Sequence, residues 1–211
     1  MWHTVWQWSL DPVNQRLLLG IVIAFGIGLI VGRWIHRARD MKDESMTSKG
    51  DRAFFKGVQY MLSNDQDQAI EEFTKSVQVN SNTIETYVAL GNLYRSKGDI
   101  DRAIRIRQTI ILRPHIDDQI KLRALFDLGV DYRKAGFLNR ALKTFLKVTQ
   151  KTPSDIKALE NIERIYEELK DWDNAYKTRQ KLAGITKGDH RHILAHHLVE
   201  MGKVAQEKGA L

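Results

Sequence analysis

The chain contains no cysteine, which excludes a disulfide framework and any thiolate-ligated metal. The absence agrees with a reducing compartment. Proline is scarce, with three in 211 residues, so little interrupts helices along most of the length. No nucleophile stands with a base, no glycine-rich loop is shaped to cradle phosphate, and no carboxylate pair marks a pocket. Catalysis and a cofactor are therefore not expected. The net charge is +7, but the basic residues are spread along many segments. They come with no reading motif and no aromatic platform, so nucleic acid is not the expected partner. His190, His192, His196 and His197 lie close together, and His192 with His196 share the spacing that zinc uses on a helix. No carboxylate completes the pattern, so a solvated helix start is expected and no metal site.

What the chain does have is a repeat. Residues 87–94, Tyr-Val-Ala-Leu-Gly-Asn-Leu-Tyr, and residues 125–132, Leu-Phe-Asp-Leu-Gly-Val-Asp-Tyr, are near copies. Ala103 and Ala141 follow at equal distances, as do Gly98 and Gly136. Gly57 with Gly91, and Ala69 with Ala103, are separated by one helix-turn-helix period of about 34 residues, the tetratricopeptide length. The next step is longer by the same amount at both landmarks, placing an insertion around residues 114–118. A fourth unit keeps register with Glu163 in the glycine slot, Tyr166 in the tyrosine slot and Ala175 in the alanine slot. Small residues on both helices permit close axial approach, while Tyr94, Tyr132 and Tyr166 fill the space beside them. The expected fold is an all-α tetratricopeptide (TPR) solenoid of four repeats over 50–189, with a partial fifth repeat or capping helix over 190–211. Aligning Gly202 with the glycine slot puts Gly209 near the turn, and Val199, Val204 and the alanines offer an apolar side for docking on the fourth unit.

Long apolar runs are also lacking, with one exception. From Leu17 to Gly32 there is no charged residue, and Arg16 and Arg33 bracket the run. With Trp34 and Ile35 it approaches the roughly 20 residues that span a bilayer. Trp2, Trp6 and Trp8 on one side and Trp34 on the other fit interfacial aromatic belts. The expectation is an N-terminal transmembrane helix at 17–35, preceded by a short Trp-rich segment at 1–16 outside the cytoplasm. A basic juxtamembrane linker follows at 36–49. Arg33, Arg37, Arg39 and Lys42 crowd the carboxyl side of the run, which places the repeats in the cytoplasm of a single-pass protein. Gly20, Ala24, Gly28 and Gly32 recur at every fourth position and form one stripe suited to a helix–helix contact in lipid.

The groove-facing positions of the first helix in each unit include Asn92, Arg95, Arg133 and Lys134, with Val58, Met61 and Arg164. An amide beside guanidinium and ammonium groups suits a carboxylate, hence an acidic peptide or chain terminus. A solvated basic face accounts for the same residues equally well, and Glu160, Glu167 and Glu168 mix the charge. Arg107 stands where the other units carry Phe73 and Phe145. It is expected either to lie over a neighbour with its head in water or to contact a partner.

The apolar span, the Arg-Ala-Arg-Asp stretch at 37–40, and residues 91–109 (Gly-Asn-Leu-Tyr-Arg-Ser-Lys-Gly-Asp-Ile-Asp-Arg-Ala-Ile-Arg-Ile-Arg-Gln-Thr) resemble the lipopolysaccharide assembly protein B family. Residues 128–132 and 135–141 resemble that family's next repeat. The resemblance implies an adaptor in the inner membrane of Gram-negative bacteria that helps a membrane-bound AAA protease degrade the lipid A deacetylase. It also implies antagonism by a membrane regulator. A generic membrane-tethered scaffold, or a receptor for acidic peptide termini, is the alternative. Family members carry further repeats and a rubredoxin-like domain with two Cys-x-x-Cys pairs, which this chain lacks. Either the chain is a piece of such a protein or it is a short relative whose last helix is a cap; in the first case its open end favours self-association.

Overall fold

The computed structural model describes residues 49–80, 83–207 and 209, with five helical residues upstream: Phe25, Gly28, Leu29, Val31 and Gly32. Nine helices lie between residues 49 and 207, and the described residues include no strand. They are α1 (49–62), α2 (Gln66–Val79), α3 (Ile84–Ser96), α4 (Ile100–Leu112), α5 (Asp118–Lys134), α6 (Leu138–Lys151), α7 (Ile156–Glu168), α8 (Trp172–Ile185) and α9 (Arg191–Glu207). From α2 onward each helix packs on the next in the chain, and Gly57 of α1 lies under Phe73 of α2. The result is an all-α solenoid of four hairpins, with α9 packed on α8.

The repeat register is also the packing register. Ala69, Ala103, Ala141 and Ala175 are all fully buried. A Cβ at Gly57 would meet the Phe73 ring at 2.7 Å, and one at Gly129 would meet the Phe145 ring at 2.9 Å. The absent side chain is what lets the two helices approach in the first and third hairpins. Between hairpins, Leu128, Tyr132, Phe145, Val148, Ile162 and Ile165 join into one core, and Phe73, Leu90 and Leu93 form another.

Helix ends follow the same period. Asn64, Gly98, Gly136 and Lys170 close α1, α3, α5 and α7 with φ of 59°, 80°, 77° and 57°. In each, the next residue's N–H returns to a carbonyl near the end of the helix, as from Asp99 to Tyr94 at 2.9 Å and from Asp171 to Tyr166 at 2.8 Å. That 6→1 closure requires the left-handed backbone. Asp65, Asp99, Asp117, Asp155 and Asp171 then cap the following helix by accepting its free N–H groups.

The insertion is an added helical turn. α5 has 17 residues where α3 and α7 have 13, and the extra length precedes the Gly129 landmark. Asp117 caps the lengthened end, accepting from Gln119 N at 2.7 Å and Ile120 N at 3.3 Å.

Two sequence expectations need correction. Arg107 does not hold its head in water: it is fully buried, because counter-charges from the next unit surround it. Val199 does not face the fourth unit and stands 56% exposed. The one fully buried residue of α9 is His197, flanked by the half-buried Ile193, Leu194, Met201, Val204 and Ala205. The expected membrane span at 17–35 lies mostly outside the described residues. Among those described, no helix is long and apolar enough to cross a membrane.

Candidate functional site

The first helix of each hairpin lines one side of the solenoid, and two adjoining clefts open there. The larger, of about 540 Å³, runs over Met61, Val88, Ala89, Ile120 and Ala124, with Glu85, Asn92, Asp117 and Arg123 among its polar lining. The smaller, of about 400 Å³, is lined by Gln119, Leu122, Arg123, Phe126, Asp155 and Lys157. Gln119 and Arg123 line both clefts. Gln119 belongs to the extra turn of α5, so the insertion builds the ridge between them.

Beneath the larger cleft lies a buried ionic cluster. Arg95 on α3 donates from Nε to Asp131, and from Nη1 and Nη2 to Asp127 Oδ1 at 3.2 Å each. Its Nη2 also reaches the Asp127 carbonyl at 2.9 Å. Arg107 on α4 donates from Nη2 to Asn92 Oδ1 at 2.5 Å and lies 3.7 Å from Asp131 Oδ2 and 3.9 Å from Asp127 Oδ2. Its guanidinium rests on Gly91, where a Cβ would come within 2.7 Å. Burial lowers the Arg107 pKa below its ordinary range, with the aspartates opposing that shift. Charges taken out of water at this depth persist only when matched, and Asp127 and Asp131 provide the match from the neighbouring hairpin.

A second polar network joins the fourth hairpin to α9. Glu163, in the glycine slot, accepts from Arg179 Nε at 2.6 Å. Burial raises the Glu163 carboxyl above its ordinary value, and Arg179 opposes the shift. His197 Nε2 lies 2.7 Å from Glu167 Oε1 and 3.8 Å from Glu163 Oε1. Its Nδ1 is buried with no hydrogen-bond partner, which favours the tautomer that donates from Nε2 to Glu167. Glu163, Glu167 and His197 each bring a ligand atom within 4.8 Å of the others. The Arg179 guanidinium already supplies positive charge there, and the arrangement serves as a clasp. His190 bonds Thr186 Oγ1 at 3.0 Å, and Trp172 packs against His196 and His197.

Three of the four residues expected to grip a carboxylate make internal contacts instead. Asn92 holds Arg107, Arg95 holds two aspartates, and Arg133 donates to Glu168 at 3.2 Å. Lys134 is exposed. A guanidinium saturated by two carboxylates has little left for a third. Sequence reasoning passed over Asp127 and Asp131, whose i,i+4 spacing on the first helix of the third unit was the available signal. It also passed over Arg179, the partner of an anomalous Glu in a glycine slot. Of the proposed membrane stripe, Gly28 and Gly32 are helical and exposed, with nothing within 4 Å of a Cβ built on either. Gly20, Ala24 and the juxtamembrane Arg33, Arg37, Arg39 and Lys42 lie outside the described residues.

Comparison with known proteins agrees with this architecture. The tetratricopeptide-repeat family matches residues 86–117 and 158–190. Lipopolysaccharide assembly protein B of Escherichia coli (strain K12) is 32% identical over 187 residues, covering 89% of this chain and 47% of that protein. The protein of the same name from Haemophilus influenzae is 30% identical over 205 residues, covering 93% and 51%. The chain thus spans about half the length of the curated relatives it matches. A solved structure of MamA from Desulfovibrio magneticus RS-1 superposes with a TM-score of 0.62 at 18% identity, covering 75% of this chain and 90% of that one. At that identity the likeness concerns the fold alone.

Proposed function

Because the chain is a tetratricopeptide-repeat relative of lipopolysaccharide assembly protein B, we propose that it is an adaptor in lipopolysaccharide assembly. It holds proteins together and catalyses no reaction. The observation that carries this reading is the 32% identity over 187 residues, which runs through hairpins whose buried contacts are accounted for above. In the finer form, the chain is anchored in the bacterial inner membrane by residues 17–35, with its repeats in the cytoplasm. There it presents the lipid A deacetylase to a membrane AAA protease, and a membrane regulator acts on it through the stripe of Gly20, Ala24, Gly28 and Gly32. The exposed side chains of Phe25, Leu29 and Val31 support burial of that segment in lipid, since they find no apolar cover among the described residues.

A pull-down tests the reading. The tagged chain is recovered from solubilised membranes, and its companions are identified by mass spectrometry. Co-recovery of the AAA protease and the deacetylase is expected. Recovery of the chain from the soluble fraction, or from membranes without either protein, contradicts the adaptor role.

A further inference from the structure

We propose that the wall formed by the second helices of the hairpins, α4, α6 and α8, lies on an anionic lipid surface. Arg105, Lys143, Lys147, Lys177 and Lys181 meet the headgroups. This rests on the reading that residues 17–35 hold the chain at a membrane, and it adds which wall of the repeats turns to that membrane.

The repeat register sets these cations side by side. Two residues after the buried alanines Ala103, Ala141 and Ala175 stand Arg105, Lys143 and Lys177. Six residues after them stand Thr109, Lys147 and Lys181. Because neighbouring hairpins pack on one another, residues at equal distances from the alanine form rows across adjacent helices. Along α6, Lys143 and Lys147 continue the line of Arg140 at spacings of three and four residues, one face of a helix. All of these side chains are exposed, and α6 contains no acidic residue. The first hairpin marks the edge of the band: Glu71 and Lys75 hold the same two positions on α2 and pair at 2.8 Å.

Other surface cations are neutralised locally, as Arg102 by Asp99 at 2.8 Å, Arg133 by Glu168 at 3.2 Å and Lys203 by Glu200 at 2.6 Å. Arg105, Lys143, Lys147, Lys177 and Lys181 have no ion-pair partner among the described residues. The acidic residues of the same wall, Asp101 and Asp173, sit in the first turns of α4 and α8, where free N–H groups offset their charge. Apolar side chains are exposed on these helices too: Leu146 between Lys143 and Lys147 in the sequence, Leu112 near the end of α4 and Ile185 at the end of α8. Lysine stems lie along such groups while the ammonium heads reach phosphate, and an amphipathic basic face of this kind suits the headgroup layer. Neither α4 nor α6 exposes an aromatic ring on which bases could stack, which favours lipid over nucleic acid.

The chain has no cysteine, so a single one can carry a fluorophore. Gln150→Cys on α6 reads this wall, and Glu160→Cys on α7 reads the opposite one. The full chain is reconstituted into nanodiscs of phosphatidylcholine alone or mixed with phosphatidylglycerol, each with a trace of headgroup-nitroxide lipid. Quenching at position 150 is expected to be about threefold stronger in the anionic discs, to vanish at about 0.5 M salt, and to be absent at position 160. K143E/K147E/K177E/K181E abolishes it; these positions are exposed and unpaired, so helical circular dichroism is kept, and the salt series on the unreversed chain tests the point independently of that variant. Equal quenching in the two lipids or at the two positions, or quenching that survives salt or charge reversal, overturns the proposal. So does binding of a labelled single-stranded oligonucleotide to this wall without any lipid quenching. A chain that enters phosphatidylcholine discs but gains no quenching with phosphatidylglycerol keeps its anchor and loses this wall. A chain that stays out of those discs, yet is quenched on added phosphatidylglycerol vesicles, sinks the anchor reading and leaves the proposal standing.

Discussion

At the residue scale, the most consequential departure from the repeat pattern is Arg107 in a phenylalanine slot. Removing its charge strands Asp131, itself fully buried, with Arg95 as its sole close cation. Arg107→Met is therefore expected to cost about 3 kcal/mol, since breaking a buried pair leaves an uncompensated charge. Chemical denaturation checks it, and a loss below about 1 kcal/mol would mean that Arg95 alone neutralises both aspartates. Lys170 presents the opposite case. It holds φ at 57° where two other hairpins carry glycine, and Lys170→Gly is expected to raise stability by about 1 kcal/mol, seen as a melting point a few degrees higher. Glu163 adds a dependence on pH. Its folded pKa is raised by burial from the ordinary 4.5, so the native state holds that proton more tightly than the unfolded chain. The stability it contributes is complete below pH 4.5 and is lost as pH rises through the folded value. The melting point of the wild type is expected to fall relative to Glu163→Gln over that interval; parallel profiles would contradict the assignment.

At the element scale, α9 docks through one fully buried histidine flanked by half-buried apolar residues. His197 is its buried residue, and the same imidazole packs beside Trp172 at the start of α8. His197→Ala is expected to loosen α9, red-shifting Trp172 emission and lowering the melting point; unchanged emission would mean that the helix is held by its flanks. The contrast with the first three hairpins explains what was legible in the sequence. Where a small residue faces Phe73 or Phe145, the landmark and the contact coincide, so the helices, their turns and the insertion followed from spacing. Where the slot holds Arg107 or Glu163, the landmark names a residue but not its counter-charge, which lies on another helix. Asp127 and Asp131 come from the neighbouring hairpin, and His197 lies 30 or more residues from its carboxylates in sequence. Pairings of that kind depend on how hairpins stack, which the periodicity of one hairpin does not encode. Of the set Asn92, Arg95, Arg133 and Lys134, the first three have partners on other helices that spacing within one hairpin does not reveal, and Lys134 is exposed. The insertion read from the sequence around residues 114–118 is the extra turn of α5, whose Gln119 lines both clefts.

At the scale of the whole molecule, the main helix contacts among the described residues join neighbours in sequence, so each junction contributes largely separately to stability. The ionic junction between the second and third units and the clasp on α9 give the stack a defined order where apolar contacts alone would be interchangeable. The described residues form a stack of hairpins with two adjoining clefts on the side lined by the first helices. The most direct measurement is the lifetime of the lipid A deacetylase in cells after translation is stopped, with the chain present, deleted and restored. The adaptor account predicts a longer lifetime on deletion and a return to normal on restoration. A lifetime indifferent to the chain would contradict it.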